Sequence, residues 1–193
     1  MNETLKLGLV LLIITSISAV VLAVSNDVTS AAIEEQTIIL NDNARREVFE
    51  EAKEFKPIEE GLLNNIKESN PEINEIFEAV DSSGNTIGYT ISLNTKGYGG
   101  KIDLLAGISC EGKVAGIKIL NHSETPSLGA KAAEPEFQNR FTDNSAEGNL
   151  TVVKEETTSD DEVQAVSSAT ITSKGVVSGV NLAIEIYNDV LMK

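Results

Sequence analysis

A chain of 193 residues has room for one membrane anchor and one globular core. Its 30 acids against 15 bases leave a formal charge of −15, a sign that repels nucleic acid and anionic lipid surfaces. One cysteine excludes an internal disulfide and an iron–sulfur cluster held by this chain alone, and one histidine excludes a His-rich zinc or haem site.

Leu7 to Val24 is an uncharged apolar run, followed by the first acid at Asp27. Its length lies in the range of roughly 17–25 residues that crosses a bilayer as one helix. Lys6 precedes the run and no base follows until Arg45, which places the N-terminus in the cytoplasm and the rest outside. A cleaved signal peptide is the competing reading. The run is longer than the usual ~7–15-residue signal core and its exit lacks a small-x-small site, so an anchor over residues 1–26 is expected.

Residues 30–56 read as a helix, with Glu34 and Glu35 in its first turn, Val48, Ala52 and Phe55 on one face, and Pro57 as its stop. A short helix over residues 58–67 ends at the Ser69-Asn-Pro71 turn signal. Residues 27–70 therefore read as a helical stalk. Four strands are expected next, over residues 75–81, 86–94, 101–109 and 113–121, joined by turns at Ser82–Asn85, Thr95–Gly100 and Glu111-Gly112. Cys110 falls in the alternating stretch after Leu104 and reads as a buried strand cysteine. His122 reads as a loop residue satisfied by its neighbours. Residues 130–141 have helical tendency broken by Pro135, with Phe137 and Phe141 spaced to dock together into the core. Residues 150–154 are a further strand. This order supports in part an α+β fold, an antiparallel sheet packed by helices.

The last element carries the chemistry. Val176, Val177, Val180, Ala183, Ile184, Tyr187, Val190 and Leu191 mark one face of a helix, with Thr172 or Ser173 as its expected N-cap. Hydroxyls at a helix start sit where backbone N–H groups and the macrodipole favour an anion. Among other chemistries, a Ser–His–acid hydrolase lacks a Gly-x-Ser-x-Gly elbow, and Glu134 with Glu136 read as a solvated acidic face. No Walker loop or dinucleotide fingerprint is present in a strand-to-helix context. Redox work would need an organic cofactor.

Ser167-Ser168-Ala169-Thr170 resembles the flavinylation motif of the FMN-binding domain family, in which a threonine carries FMN as a phosphoester. Two further segments agree. Lys96-Gly-Tyr98-Gly99 resembles the family's Gly-Tyr-x-Gly, and Glu124-Thr125-Pro126-Ser127-Leu128-Gly129 resembles its Glu-Thr-Pro-Gly-Leu-Gly loop. Ser127 and Ser168 stand where the family usually has glycine, and Gln164 where it has an acid.

The resemblance, carried by the segments around residues 98–175, implies the rest of the α+β fold. It also implies FMN bound covalently to Thr170, with Ser167, Ser168, Ala169, Tyr98, Glu124, Thr125, Leu128 and Gly129 around it. In that reading Leu128 lies against the ring system and Glu124 and Thr125 make polar contacts. No residue is catalytic in turnover and no metal is held. The chain resembles the G subunit of Rnf-type complexes more than the C subunit of the sodium-pumping quinone reductase. The implied protein is a single-pass electron carrier in the cell membrane, with its flavin domain (residues 71–193) on the extracytoplasmic side. Its complex would couple ferredoxin:NAD electron transfer to Na⁺ or H⁺ translocation. The implied partners are the other subunits, membrane lipid, and a flavin transferase during maturation. A stand-alone tethered flavoprotein and a non-redox assembly module of the same fold remain as alternatives.

Overall fold

The computed structural model describes residues 3–192. The chain forms two compact units, Met1–Leu40 and Asn41–Lys193. Helix α1, Glu3–Val48, supplies the described residues of the first and the start of the second. Within the first unit the large apolar side chains are exposed, from Leu5 through Val24 and on to Leu40. The helix is long and apolar enough to cross a membrane by length and composition.

The second unit is an α+β domain on a five-stranded antiparallel meander. Its strands are β1 (Glu54–Pro57), β2 (Ile73–Val80), β3 (Thr86–Lys96), β4 (Lys101–Ser109) and β5 (Val114–His122), paired in that order. The helix α2 (Glu60–Ser69) links β1 to β2. Beyond β5, a 3₁₀ turn at Gly129–Ala133 leads to α3 (Pro135–Gln138) and a second 3₁₀ turn at Asn139–Phe141. Two short parallel strands, β6 (Thr151–Val153) and β7 (Glu162–Gln164), precede α4 (Thr170–Ile186).

Strand β4 shows why the sheet is buried on both faces. Ile102, Leu104, Ala106 and Ile108 point to one side by the strand's period of two, and Leu105 points to the other. The first side meets α4 through Val176, Val180, Ala183 and Ile184, and the π-helical turn Tyr187–Leu191 that follows it through Tyr187, all within the main core. Phe137 and Phe141 join that core edge to face at 5.3 Å, as their spacing implies. The other side receives Ala44, Val48 and Phe49 from the end of α1 and the residues just after it. The approach is close enough that a Cβ at Gly107 would lie 2.2 Å from Val48 Cγ1, and one at Gly88 would lie 2.5 Å from the Phe49 ring. Arg45 is buried beside them, paired with Asp42 at 2.6 Å and Glu75 at 2.7 Å, with its guanidinium 3.8 Å from the centre of the Phe77 ring.

Four expectations need correction. The helix expected over residues 30–56 ends at Val48, and Phe55 lies in β1, opposite Ala79. Backbone groups there find a better set of partners in the edge of β2, as with the Lys53 N–H on Val80 O at 2.7 Å. Pro57 ends this strand instead of stopping a helix, on the sheet edge where a missing N–H is tolerated. Cys110 is exposed, because β4 ends at Ser109 and Cys110 enters the tight turn with Gly112 at φ 75°. The last correction concerns the start of α4.

Candidate functional site

Helix α4 begins at Thr170, with Ala169 in the N-cap position and no side-chain cap. Thr172 and Ser173, expected as caps, are buried in its first turn. The Ser173 hydroxyl accepts the Val166 N–H at 2.9 Å and donates to Ala169 O at 3.0 Å. It thereby pins the Val166–Ala169 turn, which the Ala169 N–H closes on Val166 O at 3.0 Å. Ser168 takes the turn's left-handed corner at φ 63°, so the family's glycine position is one where glycine is the unstrained residue. Ser127, the other departure from glycine, has φ 65°.

The three signature segments meet at one carboxylate. Glu124 is buried where the chain leaves β5; its Oε1 accepts the Gly99 N–H at 3.1 Å and its Oε2 the Thr172 hydroxyl at 2.8 Å. Its own N–H donates to His122 Nδ1 at 3.2 Å. A Cβ at Gly97 would lie 2.0 Å from Oε1, and one at Gly129 2.2 Å from Oε2. Those two glycines leave the carboxylate its space. Glu124 therefore ties the 97–100 loop, the 124–129 loop and the first turn of α4 together.

These segments enclose a cavity of about 420 Å³, lined by Tyr98, Glu124, Thr125, Leu128, Gly129, Ser168, Ala169, Thr170, Ile171 and Thr172. Its size falls in the range of small-molecule sites, roughly 300–1,000 Å³. Tyr98, Leu128 and Ile171 are 68%, 45% and 58% exposed. Outside α1 the only other exposed large hydrophobic among the described residues is Met192. Apolar side chains gathered on one cavity and left in water mark a surface awaiting a ligand.

On its other side Thr170 borders a polar groove of about 550 Å³ with Lys131, Arg140, Lys154, Gln164 and Ser167. Arg140 is held there by Glu136 at 3.0 Å and by the carbonyls of Gln164 and Ala165. Ser167 thus lines the groove and not the cavity. Two hydroxyl-bearing residues, Ser168 and Thr170, line both spaces. Thr170 alone of the pair stands in the helix itself, beside the uncapped first-turn N–H groups that favour a phosphate. An apolar slot with an aromatic ring, adjoining a hydroxyl at an uncapped helix start, fits a planar ring system joined to a phosphate. FMN has that shape and charge.

Sequence reasoning missed Ile171 and the structural use of Thr172. Ile171 lies on the side of α4 away from the face that packs on the sheet, and an apolar residue out of phase was the available signal. Thr172 gave none, because its partner Glu124 is 48 residues away.

Residues 97–185 match the FMN-binding domain family. The chain is 40% identical over 192 residues to the G subunit of the Na⁺-translocating ferredoxin:NAD⁺ oxidoreductase complex of Acetobacterium woodii, covering 95% of this chain and 91% of that one. It is 33% identical over 169 residues to the G subunit of the proton-translocating ferredoxin:NAD⁺ oxidoreductase complex of Clostridium ljungdahlii, covering 88% and 83%. In fold it resembles the C subunit of the Na⁺-translocating NADH-quinone reductase of Parabacteroides distasonis, with a TM-score of 0.56 at 23% identity over 74% of this chain and 79% of that one. The chain belongs to the FMN-binding domain family, in the group of G subunits of ion-translocating oxidoreductase complexes.

Proposed function

We propose that the chain is a single-pass membrane subunit carrying FMN as a phosphoester on Thr170. It serves as one electron carrier of a complex that couples ferredoxin:NAD⁺ oxidoreduction to Na⁺ or H⁺ translocation. The observation that carries this reading is the convergence of exposed Tyr98, Leu128 and Ile171 on one cavity that Thr170 also lines. The relatives of the chain, one named for Na⁺ and one for protons, support the complex and leave either ion open. The Lys6 side of the apolar run favours a cytoplasmic N-terminus and an extracytoplasmic flavin domain.

When bound, FMN supplies the chemistry, accepting and releasing electrons through its ring system. The protein's residues hold and shield it. Tyr98, Leu128 and Ile171 would pack against the ring system and exclude water. The uncapped first turn of α4 would receive the phosphate charge, and Glu124 fixes the two loops that form the walls. Thr170 is an attachment point rather than a nucleophile in turnover. A covalent link suits an extracytoplasmic site, where a cofactor held by equilibrium binding would be lost by dilution. The flavin transferase, acting on FAD, is the partner that installs it. The chain holds no complete active site, so catalysis belongs to the assembled complex.

The test is the intact mass of detergent-purified protein made with its transferase, alongside Thr170→Ala and Ser168→Ala. An increment of one FMN in the wild type and in Ser168→Ala, absent from Thr170→Ala, is expected. Loss of the increment in Ser168→Ala alone would move the attachment point to the neighbouring hydroxyl, and no increment in any sample would refute flavin carriage.

A further inference from the structure

Of the ten residues that line the cavity beside Thr170, Glu124 is the only acid and none is a base. Both of its carboxyl oxygens accept, Oε1 from the Gly99 N–H and Oε2 from the Thr172 hydroxyl, which is the pattern of an ionised carboxylate. No cation answers that charge. Among the described residues Glu124 enters no ion pair. The neighbouring His122 accepts the Glu124 N–H through Nδ1, so that ring nitrogen carries no proton and the imidazole no charge.

A charge is more than a strut needs. A neutral acceptor would hold the same donors at a smaller desolvation cost, and buried charges are ordinarily paired. The wall is nevertheless fitted closely round the carboxylate, since a Cβ at Gly97 or Gly129 would fall within 2.2 Å of one of its oxygens. An unpaired carboxylate kept on a cavity wall acts on whatever fills the cavity. A planar ring system filling about 420 Å³ lies against every wall, and with water displaced the charges on the two are weakly screened.

Electrons reach such a ring from a one-electron carrier of the complex, and each brings one negative charge. Two electrons with one proton from solvent leave the ring with one negative charge, and a second proton removes it. The Glu124 carboxylate repels that charge and has no such effect on the neutral oxidised ring. We infer that Glu124 sets the reduction potential of the bound flavin, holding it below the value that a neutral side chain at this position would give. The inference rests on the reading of Thr170 as carrying FMN with its rings in this cavity. It adds a residue that tunes the cofactor while taking part in no bond change.

The test is a spectroelectrochemical titration of the full chain in detergent, flavinylated by its transferase, at about pH 8, where carboxylates are ionised. Wild type, Glu124→Gln, Glu124→Asp and Thr172→Val are compared, with flavin loading read by intact mass. Glu124→Gln is expected to raise the ratio of reduced to oxidised flavin at a fixed potential at least tenfold, a rise of about 30 mV for a two-electron couple. Glu124→Asp keeps the charge and should move the potential less than half as far. Thr172→Val also loosens the wall, but it keeps the carboxylate and removes a donor that offsets its charge, so its potential should fall. A smaller shift in Glu124→Gln, an equal shift in Glu124→Asp, or a rise in Thr172→Val would overturn the inference. Where Glu124→Gln takes up no flavin, Thr172→Val decides alone: a fall supports the inference, and no fall overturns it. A wild type without flavin mass refutes the earlier reading, whereas a loaded wild type whose potential the variants leave unmoved refutes only this one.

Discussion

Replacing Glu124 by alanine is expected to destabilise the domain by about 3–5 kcal/mol. The carboxylate accepts two hydrogen bonds, from the Gly99 N–H and the Thr172 hydroxyl, and the residue is 7% exposed. Hydrogen bonds to charged groups contribute about 1.5–3 kcal/mol each, and alanine would leave both donors without a partner. Glutamine keeps one acceptor oxygen, and the Thr172 hydroxyl can rotate to accept from its amide, so Glu124→Gln is expected to cost about 1–2 kcal/mol. For a domain of this size each kcal/mol moves the melting temperature by roughly 2–4 °C, so alanine should lower it by about 10 °C and glutamine by less than half of that. Differential scanning calorimetry of the flavin-free full chain in detergent measures both. The flavin-free state matters, because it separates the strut from any contact with the cofactor. If both variants melt within about 2 °C of the wild type, the carboxylate does not hold the three segments together.

Four further outcomes are expected. Ser127→Gly and Ser168→Gly should each stabilise the protein by about 0.5–1 kcal/mol, since relief of the left-handed strain exceeds the added freedom of the unfolded chain; a lower melting temperature in both would contradict this. Gly107→Ala should cost about 1–3 kcal/mol by driving a methyl into Val48, with partial rescue by Val48→Ala. Gly116→Ala, whose Cβ would meet Val48 at an ordinary 3.8 Å, should be tolerated on that face, and equal losses for Gly107 and Gly116 would refute the docking geometry. Tyr98→Ala and Ile171→Ala should leave the flavin-free melting temperature nearly unchanged, because both side chains are exposed, while opening bound flavin to iodide quenching; unchanged quenching would remove them from the site. Finally, the Asn85 backbone N–H, with smaller help from the Asn85 side chain and the N–H groups of Ser83 and Gly84, holds the Asp81 carboxyl below its ordinary value of 3.8, against a weaker opposing effect of desolvation. A depressed pKa in the fold means stabilisation that is present above about pH 4 and lost as pH falls through the folded value. An NMR titration in which Asp81 ionises at or above its ordinary value would exclude that turn's grip.

Sequence alone determined the elements whose signal is local. Strand β4 was legible to the residue, because its apolar alternation ends at charged and turn-forming neighbours. The face of α4 from Val176 to Ile184 was legible for the same reason, since a period of 3.6 survives in the order of residues, whereas the expected last turn, Tyr187–Leu191, is a π-helix. The three signature segments were visible as motifs, although the order of residues does not say that they touch. Tertiary structure decided the rest. Residues 49–57 have helical composition around them, and the open edge of β2 drew Glu54–Pro57 into the sheet. The start of α4 moved from the expected Thr172 or Ser173 to Thr170, because a distant carboxylate and a preceding turn claimed the hydroxyls that would otherwise have capped it. Glu124, expected as a polar contact of the cofactor, also acts as a strut within the wall, and Gly97 and Gly129 are the spaces around its carboxylate. Local periodicity is written in neighbouring residues. The partner of a buried polar group is chosen by whichever segment the fold brings within hydrogen-bond reach, and that choice exists only once the chain is folded.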